Sequence, residues 1–450
     1  MSDRLDRAAW RPIHRRIAGA LGIGWALDAF EVQIIGSVIP AIAATFRLSA
    51  DQQIAVFVIW FVGLGLGAAL FGYLADRVGR RRLFVATLIL YSLSALATAV
   101  SPSYGFFMAF RFLTGLGVGG EYSAVCSAIS EFMPARARGR TNALVMNFWS
   151  IGGIAAGLVG ILFVSTVLGS GGWRIALLFG VLSAIYGLLA RRLVPESPRW
   201  LAAQGRLADA NAVIEQISGI RRERAEYLPV ELQRSARAQL GELWRGYRGR
   251  LLFGMALDFS EAAGYYGLFT FVSVFVLTRN AVGVSARAVP YYYLVANLGA
   301  LLGGLTVSWA LDRVGRKPTL LFGYSTASLS SLLVAAAAIS HSPGWTLAAF
   351  TVAVLFASMA WMSAYPTFTE LFPTHLRATG VGACVAVGRI GAIVGAVVLA
   401  QLASSFGLWS GFATLGGLWA IGALASAIWW LRGIEARGIS LEALAGRGAR

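Results

Sequence analysis

Gly72-Tyr73-Leu74-Ala75-Asp76-Arg77-Val78-Gly79-Arg80-Arg81-Arg82 is a basic turn between two long apolar runs, and its centre returns later in the chain as Asp312-Arg313-Val314-Gly315-Arg316-Lys317. Two other patterns return in step with it. Leu27-Asp28-x-x-Glu31 reappears as Leu257-Asp258-x-x-Glu261, and Glu131-x-x-Pro134 followed by Arg138 reappears as Glu370-x-x-Pro373 followed by Arg377. Order and spacing are kept, so the chain reads as two homologous halves. Around these signatures lie apolar stretches at 17–43, 54–75, 83–101, 105–130, 142–168 and 173–194, then at 250–278, 288–311, 318–339, 345–369, 378–404 and 410–432. At 1.5 Å per helical residue each is about long enough to cross the ~30 Å core of a bilayer. The expected fold is an all-α integral membrane protein, with twelve transmembrane helices in two pseudo-symmetric six-helix halves. Its expected divisions are an N-terminal tail 1–16, a first half 17–194, a polar linker 195–248, a second half 249–432 and a C-terminal tail 433–450. The linker places Arg, Glu and Gln at helical spacing and should form short amphipathic helices.

Composition agrees. Of 450 residues 57% are hydrophobic and 13% charged, against about 25% charged in an ordinary soluble domain. Gly is abundant, 53 in all. In lipid such small residues let helices approach closely, as at Gly63-Gly65-Gly67 and Gly115-Gly117-Gly119-Gly120. The apolar run after the tail is too long for a signal-peptide core, so it is read as a retained first helix. The two cysteines, Cys126 and Cys384, sit in apolar runs without metal-ligand spacing and are read as buried thiols. No cofactor or metal is expected.

The net charge of +17 poses the question of nucleic acid, and its distribution answers it. Thirty-two of the 38 basic residues fall in the tails and even-numbered loops and four in the odd-numbered loops. The positive-inside rule then places both termini in the cytoplasm, in a bacterial-type inner membrane. The Arg excess orients the protein in the bilayer and calls for no nucleic-acid partner. A monomer is expected.

The 72–82 stretch resembles, at nearly every position, the loop signature of major facilitator superfamily transporters, and the likeness extends over essentially the whole chain. Arg111-Phe-Leu-Thr-Gly115-Leu-Gly117-Val-Gly119 resembles that family's fourth-helix motif. Pro195-Glu196-Ser197-Pro198-Arg199-Trp200-Leu201 is similar to the sugar-porter signature, and Glu435-x-x-Gly438-x-Ser440-Leu441-Glu442 to its C-terminal motif. Sugar porters carry a Gln-rich seventh helix, whereas the seventh span here, Asp258-Phe-Ser-Glu261-Ala-Ala-Gly-Tyr265-Tyr266-Gly267-Leu-Phe269-Thr270, has no Gln. Asp28-x-x-Glu31 followed by Pro40 resembles the first helix of aromatic-acid/proton symporters, with Glu for the second Asp. Tyr265-Tyr266-Gly267-x-Phe269-Thr270 is similar to nicotinate-transporter relatives. The resemblance implies alternating access between the two halves, with spans 1, 4, 7 and 10 around the cavity. It also implies that Glu31 and Arg111 pair as in proton-coupled sugar porters.

Seven ionisable residues lie inside the spans: Asp28, Glu31, Arg111, Glu121, Asp258, Glu261 and Arg389. An unpaired mid-membrane charge costs at least ~2.5–3.5 kcal/mol, so each should face the interior and find a partner. Glu31 is the candidate proton carrier with Arg111 as partner. A nearby cation favours the carboxylate, and its withdrawal favours the acid. The alternative is a permanent bridge that only assembles the half. Asp28 belongs to the same group. Glu121 serves either coupling or a contact to the 72–82 turn. Asp258 and Glu261, placed near the start of the seventh span, line an inner gate, hold a cationic substrate, or pair with nearby Arg. Arg389 takes a substrate carboxylate bidentately or bridges to Asp258 or Glu261.

Trp25, Trp149, Tyr265, Tyr266, Phe269, Trp361 and Tyr365 are candidate pocket walls, with Asn147 and Asn297 as polar groups in spans. Asp76, Arg77, Arg80, Glu131, Arg138, Asp312, Arg316, Glu370 and Arg377 are expected to interlock at helix ends as a gate. Topology alone explains extra Arg but not acids repeated in register. No HExxH, GxSxG or His pair suggests an enzyme. The expected function is secondary active transport of a small organic metabolite, by proton-coupled symport of an organic acid, aromatic acids included. A cationic or neutral metabolite, and export, are the alternatives.

Overall fold

The computed structural model describes residues 8–78, 80–203, 205–219, 236–277, 281–373 and 376–435. Among the described residues eleven long helices and a twelfth in two short pieces stand where twelve spans were expected. The first six are α1 Pro12–Phe46, α2 Ala50–Val78, α3 Arg80–Ala99, α4 Tyr104–Phe132, α5 Ala135–Gly160 and α6, built of Trp173–Leu178 and Val181–Leu193. The second six are α7 Arg248–Phe271, α8 Val289–Arg313, α9 Arg316–Ile339, α10 Pro343–Leu371, α11 Arg377–Phe406 and α12 Leu408–Arg432. Among the described residues nine segments are long and apolar enough to cross a membrane by length and composition. The linker carries short helices at Pro198–Ala203, Leu207–Ser218 and Ala236–Gly246. Gly438, Ser440 and Glu442 of the C-terminal motif lie outside the described residues.

Helix pairing shows the internal repeat directly. In the first half α1 packs on α5, α2 on α4 and α3 on α6; in the second, α7 packs on α11, α8 on α10 and α9 on α12. The halves meet along two seams, α5 against α8 and α2 against α11. These seams are exchanged when each helix is replaced by its counterpart six positions on, as a two-fold relation requires.

The α2–α4 contact shows why glycine recurs. A Cβ at Gly63 would lie 2.3 Å from the Phe112 carbonyl oxygen and one at Gly67 2.0 Å from that of Leu116. From the other side, a Cβ at Gly115 would lie 2.2 Å from the Trp60 carbonyl oxygen and one at Gly119 2.2 Å from that of Leu64. Two Gly-x-x-x-Gly ridges thus press backbone on backbone, the contact that lipid-embedded helices favour.

Three details differ from the sequence reading. The first helix begins earlier, at Pro12, because proline fits the first turn, where no amide donor is needed. The α6 helix is broken at Phe179-Gly180, beside the first-half charges: a Cβ at Gly180 would sit 2.9 Å from Glu31 Oε2. Because α7 starts at Arg248, Asp258 and Glu261 lie about three turns inside it rather than near its start.

Candidate functional site

The first half holds a buried charge cluster. Asp28 and Glu31, three residues apart on α1, share one helix face and are fully buried, and Arg111 on α4 is 1% exposed. Arg111 Nη1 donates to Glu31 Oε1 at 3.2 Å. The Arg111 guanidinium also lies 5.9 Å from the Trp60 ring centroid, a cation–π distance. The expected Glu31–Arg111 pair is therefore formed.

The second half holds its counterpart, built differently. Asp258 and Glu261 repeat the α1 pair on α7, at 0% and 2% exposure, and Arg389 on α11 is 3% exposed. Both carboxyl groups lie within electrostatic reach of each other and of Arg389. Asp258 is pressed against α11, where a Cβ on Gly388 would lie 1.7 Å from its Oδ2. The two arms of Arg389 donate to hydroxyls, Nη1 to Tyr266 and Nη2 to Tyr365, each at 3.4 Å. The guanidinium also lies 5.7 Å from the Tyr266 ring. Arg389 thus stands between the two acids and a pair of tyrosines.

An aromatic belt joins the two clusters. Trp25 lies 5.6 Å from Trp149, Trp149 5.3 Å from Trp361 and Trp361 5.5 Å from Tyr265, ring centre to ring centre. Tyr265 continues to Tyr266 at 5.9 Å and to Phe269 at 5.0 Å, and Trp361 to Tyr365 at 6.0 Å. Tyr266 then crosses to the first half, 4.8 Å from Phe61 and 6.4 Å from Trp60. The aromatics named from sequence converge here, and Trp60 and Phe61 join them. The Tyr265 hydroxyl lies near Trp149 and Ser358. Tyr265 Oη, Trp149 Nε1 and Ser358 Oγ are buried together and satisfy one another only loosely.

The two asparagines sit at the α5–α8 seam. Asn297 donates to Gln33 Oε1 at 2.8 Å, from one half to the other, and Asn147 donates to the Leu301 carbonyl at 3.2 Å. Toward the membrane face opposite the basic loops, Tyr293 fills the space beside Gly36, where a Cβ would lie 2.2 Å from the Tyr293 hydroxyl.

On the Arg-rich face the second-half signature is locked. Arg316 grips Glu370 with two bonds, 2.9 and 2.7 Å, and donates a third to the Leu311 carbonyl at 3.0 Å. Gly315 has φ of 106°, a conformation an L side chain resists. That turn aims the first amides of α9 at Glu435, which accepts from the Arg316 and Lys317 N–H groups at 3.0 Å each. A carboxylate there suits the positive helix terminus. Arg377 is buried and directs Nη2 to the Phe372 carbonyl at 3.5 Å. The side chains of Asp76, Arg77, Arg80, Glu121, Cys126, Glu131, Arg138 and Asp312 lie outside the described residues.

A family model described as sugar (and other) transporter matches residues 20–445. The chain belongs to the sugar (and other) transporter family. The transporter is 30% identical over 414 residues to the niacin transporter NiaP of Acinetobacter baylyi, spanning 89% of this chain and 90% of that one. It is 28% identical over 426 residues to organic cation/carnitine transporter 7 of Arabidopsis thaliana, spanning 83% and 82%. Its fold superposes on a major facilitator superfamily proton:xylose symporter bound to 6-bromo-6-deoxy-D-glucose, with TM-score 0.77, 20% identity and 97% and 99% coverage. The protein is a multi-pass membrane transporter.

Sequence reasoning missed Gln33, Trp60, Phe61 and Ser358 in this transporter. Gln33 had a legible signal, a polar amide two residues beyond a buried acid. Trp60, one of 14 tryptophans, had none.

Proposed function

We propose that the protein imports a small aromatic monocarboxylate together with protons, and that the site lies in the aromatic belt between the two charge clusters. The observation that carries this reading is Arg389, a buried guanidinium whose two arms donate to neutral tyrosine hydroxyls at 3.4 Å. A substrate carboxylate offers those arms a far stronger bidentate partner. Trp25, Trp149, Trp361 and Tyr265 supply flat apolar walls for a ring. The Tyr265, Trp149 and Ser358 groups, only loosely bonded to one another, supply hydrogen bonds to its polar atoms. The relative's name supports the same class, since niacin is a pyridine carboxylate.

Glu31 carries the proton in this reading. Arg111 holds it as carboxylate, and rocking of the halves draws Arg111 away so that a proton takes the place of the cation. Arg316–Glu370 locks one end of the cycle, and the Gln33–Asn297 bond and the Gly36–Tyr293 contact close the other. The termini face the cytoplasm of a plasma membrane, and the working unit is a monomer.

The test is uptake of labelled niacin and benzoate into proteoliposomes with and without an inward proton gradient, beside a thermal-shift screen of anions and cations. Accumulation driven by the gradient, absent in Glu31→Gln and in Arg389→Lys, is the expected result. Stabilisation by organic cations alone would replace this reading with the second one, a cationic substrate. That alternative is favoured by five in-span acids against two arginines and by the plant relative's name.

A further inference from the structure

The second-half acids are left with no task in that mechanism, and their surroundings define one. Asp258 and Glu261 are enclosed, and two like charges so close in apolar surroundings do not both stay ionised. Asp258 and Glu261 stand within hydrogen-bond reach of each other, and among the described residues no N–H or hydroxyl donor closes a bond to either Asp258 oxygen or to Glu261 Oε2. The neighbouring hydroxyls are engaged elsewhere: Tyr324 donates to the Leu257 carbonyl at 3.1 Å and Ser260 to the Leu418 carbonyl at 2.7 Å. From α11 the pair meets Arg389 and the Cys384 thiol, from α10 the Tyr365 hydroxyl by way of Arg389, from α9 Tyr324, and on α7 itself Tyr265 directly and Tyr266 by way of Arg389. α12 packs on α7 beside the pair through the Ser260 hydroxyl, and that helix has no charged residue before Arg432. The donor that would satisfy these oxygens is a proton.

We infer that Asp258 and Glu261 form a second proton-binding site, coupled to substrate through Arg389, so that one monocarboxylate crosses with two protons, one bound in each half. The linkage is electrostatic. At rest the pair holds one proton, and Arg389 balances the one negative charge that remains. When a substrate carboxylate takes Arg389, that compensation is lost, and a second proton from the aqueous phase adds to the remaining carboxylate. When substrate leaves, Arg389 turns back and the second proton departs to water. No bond other than carboxyl O–H forms or breaks. The first half repeats the arithmetic with Asp28, Glu31 and Arg111. The two arginines are connected through rings, Arg111 over Trp60, Trp60 beside Tyr266 and Tyr266 beneath Arg389, so displacement of one is felt by the other.

This inference rests on the proton-coupled reading for its stoichiometry but not for the site itself, and two measurements separate them. Infrared difference spectra of the purified full chain, in light and heavy water at neutral pH, report protonated carboxyl groups without any substrate. The expected result is a carboxyl C=O band that is lost in Glu261→Gln, shifted but kept in Glu261→Asp, and unaffected by Glu31→Gln. A spectrum unchanged by Glu261→Gln overturns the site, whatever is transported. The second measurement is niacin uptake into proteoliposomes at clamped membrane potential. Two protons per monoanion carry one net positive charge, so uptake should rise with inside-negative potential. Uptake driven by the proton gradient but indifferent to potential overturns the second proton while leaving Glu31 as carrier.

Discussion

The Glu31–Arg111 pair has both charges at or below 1% exposure, so neither partner tolerates removal of the other. An unpaired buried charge costs about 3–5 kcal/mol. Arg111→Gln should therefore lower the melting temperature sharply, and the double variant Glu31→Gln/Arg111→Gln should recover most of it. A melt in detergent checks this; a double variant no more stable than the single would mean the pair is not an isolated electrostatic unit. Gly388→Ala is a second test at this scale. Its Cβ would overlap Asp258 Oδ2, so substrate affinity should fall several-fold while Gly382→Ala, where a Cβ meets nothing within 4 Å, should leave uptake near wild type. The acids were legible in the sequence because a repeated charge inside an apolar span has few explanations. Arg389's grouping with Tyr266 and Tyr365 was not, since the three come from three different helices, Tyr266 from one distant in the chain, and only packing brings them together.

At the scale of elements the fold was legible almost throughout, because twelve apolar runs and a repeated loop admit few arrangements in lipid. What the sequence left open was local. The break in α6 is at an ordinary-looking Phe-Gly pair, and only the folded structure shows that Glu31 lies opposite it. The α2–α4 ridges make a directional prediction. Gly67→Val and Gly119→Val each force a side chain into a backbone carbonyl, while a Cβ at Gly65 would meet only the Arg389 stem, at 3.6 Å. Gly65→Ala should purify as a sharp monodisperse peak with an unchanged melt, whereas Gly67→Val and Gly119→Val should lose at least ~1–3 kcal/mol and aggregate on size exclusion.

For the molecule as a whole, two seams between the halves, α2–α11 and α5–α8, are the surfaces on which rocking must act. The Gln33–Asn297 bond and the Gly36–Tyr293 contact lie on or beside the second. Gly36→Val should prop that face apart: net uptake lost, ligand-induced stabilisation retained. Retained uptake would show that closure there is not required. The Arg-rich locks were only half open to inspection from sequence. Repetition announced Arg316 and Glu370, but nothing in a degraded tail motif announced Glu435 as the carboxylate that holds the start of α9.

The aromatic belt also makes the protein its own optical instrument. Trp149 and Trp361 belong to opposite halves, with ring centres 5.3 Å apart, and Trp60 lies beneath the Arg111 cation. Indole emission is sensitive to nearby charge and to stacking, so each turnover should modulate the ultraviolet fluorescence of the unlabelled chain. Stopped-flow mixing would then time the opening of the seam without a dye.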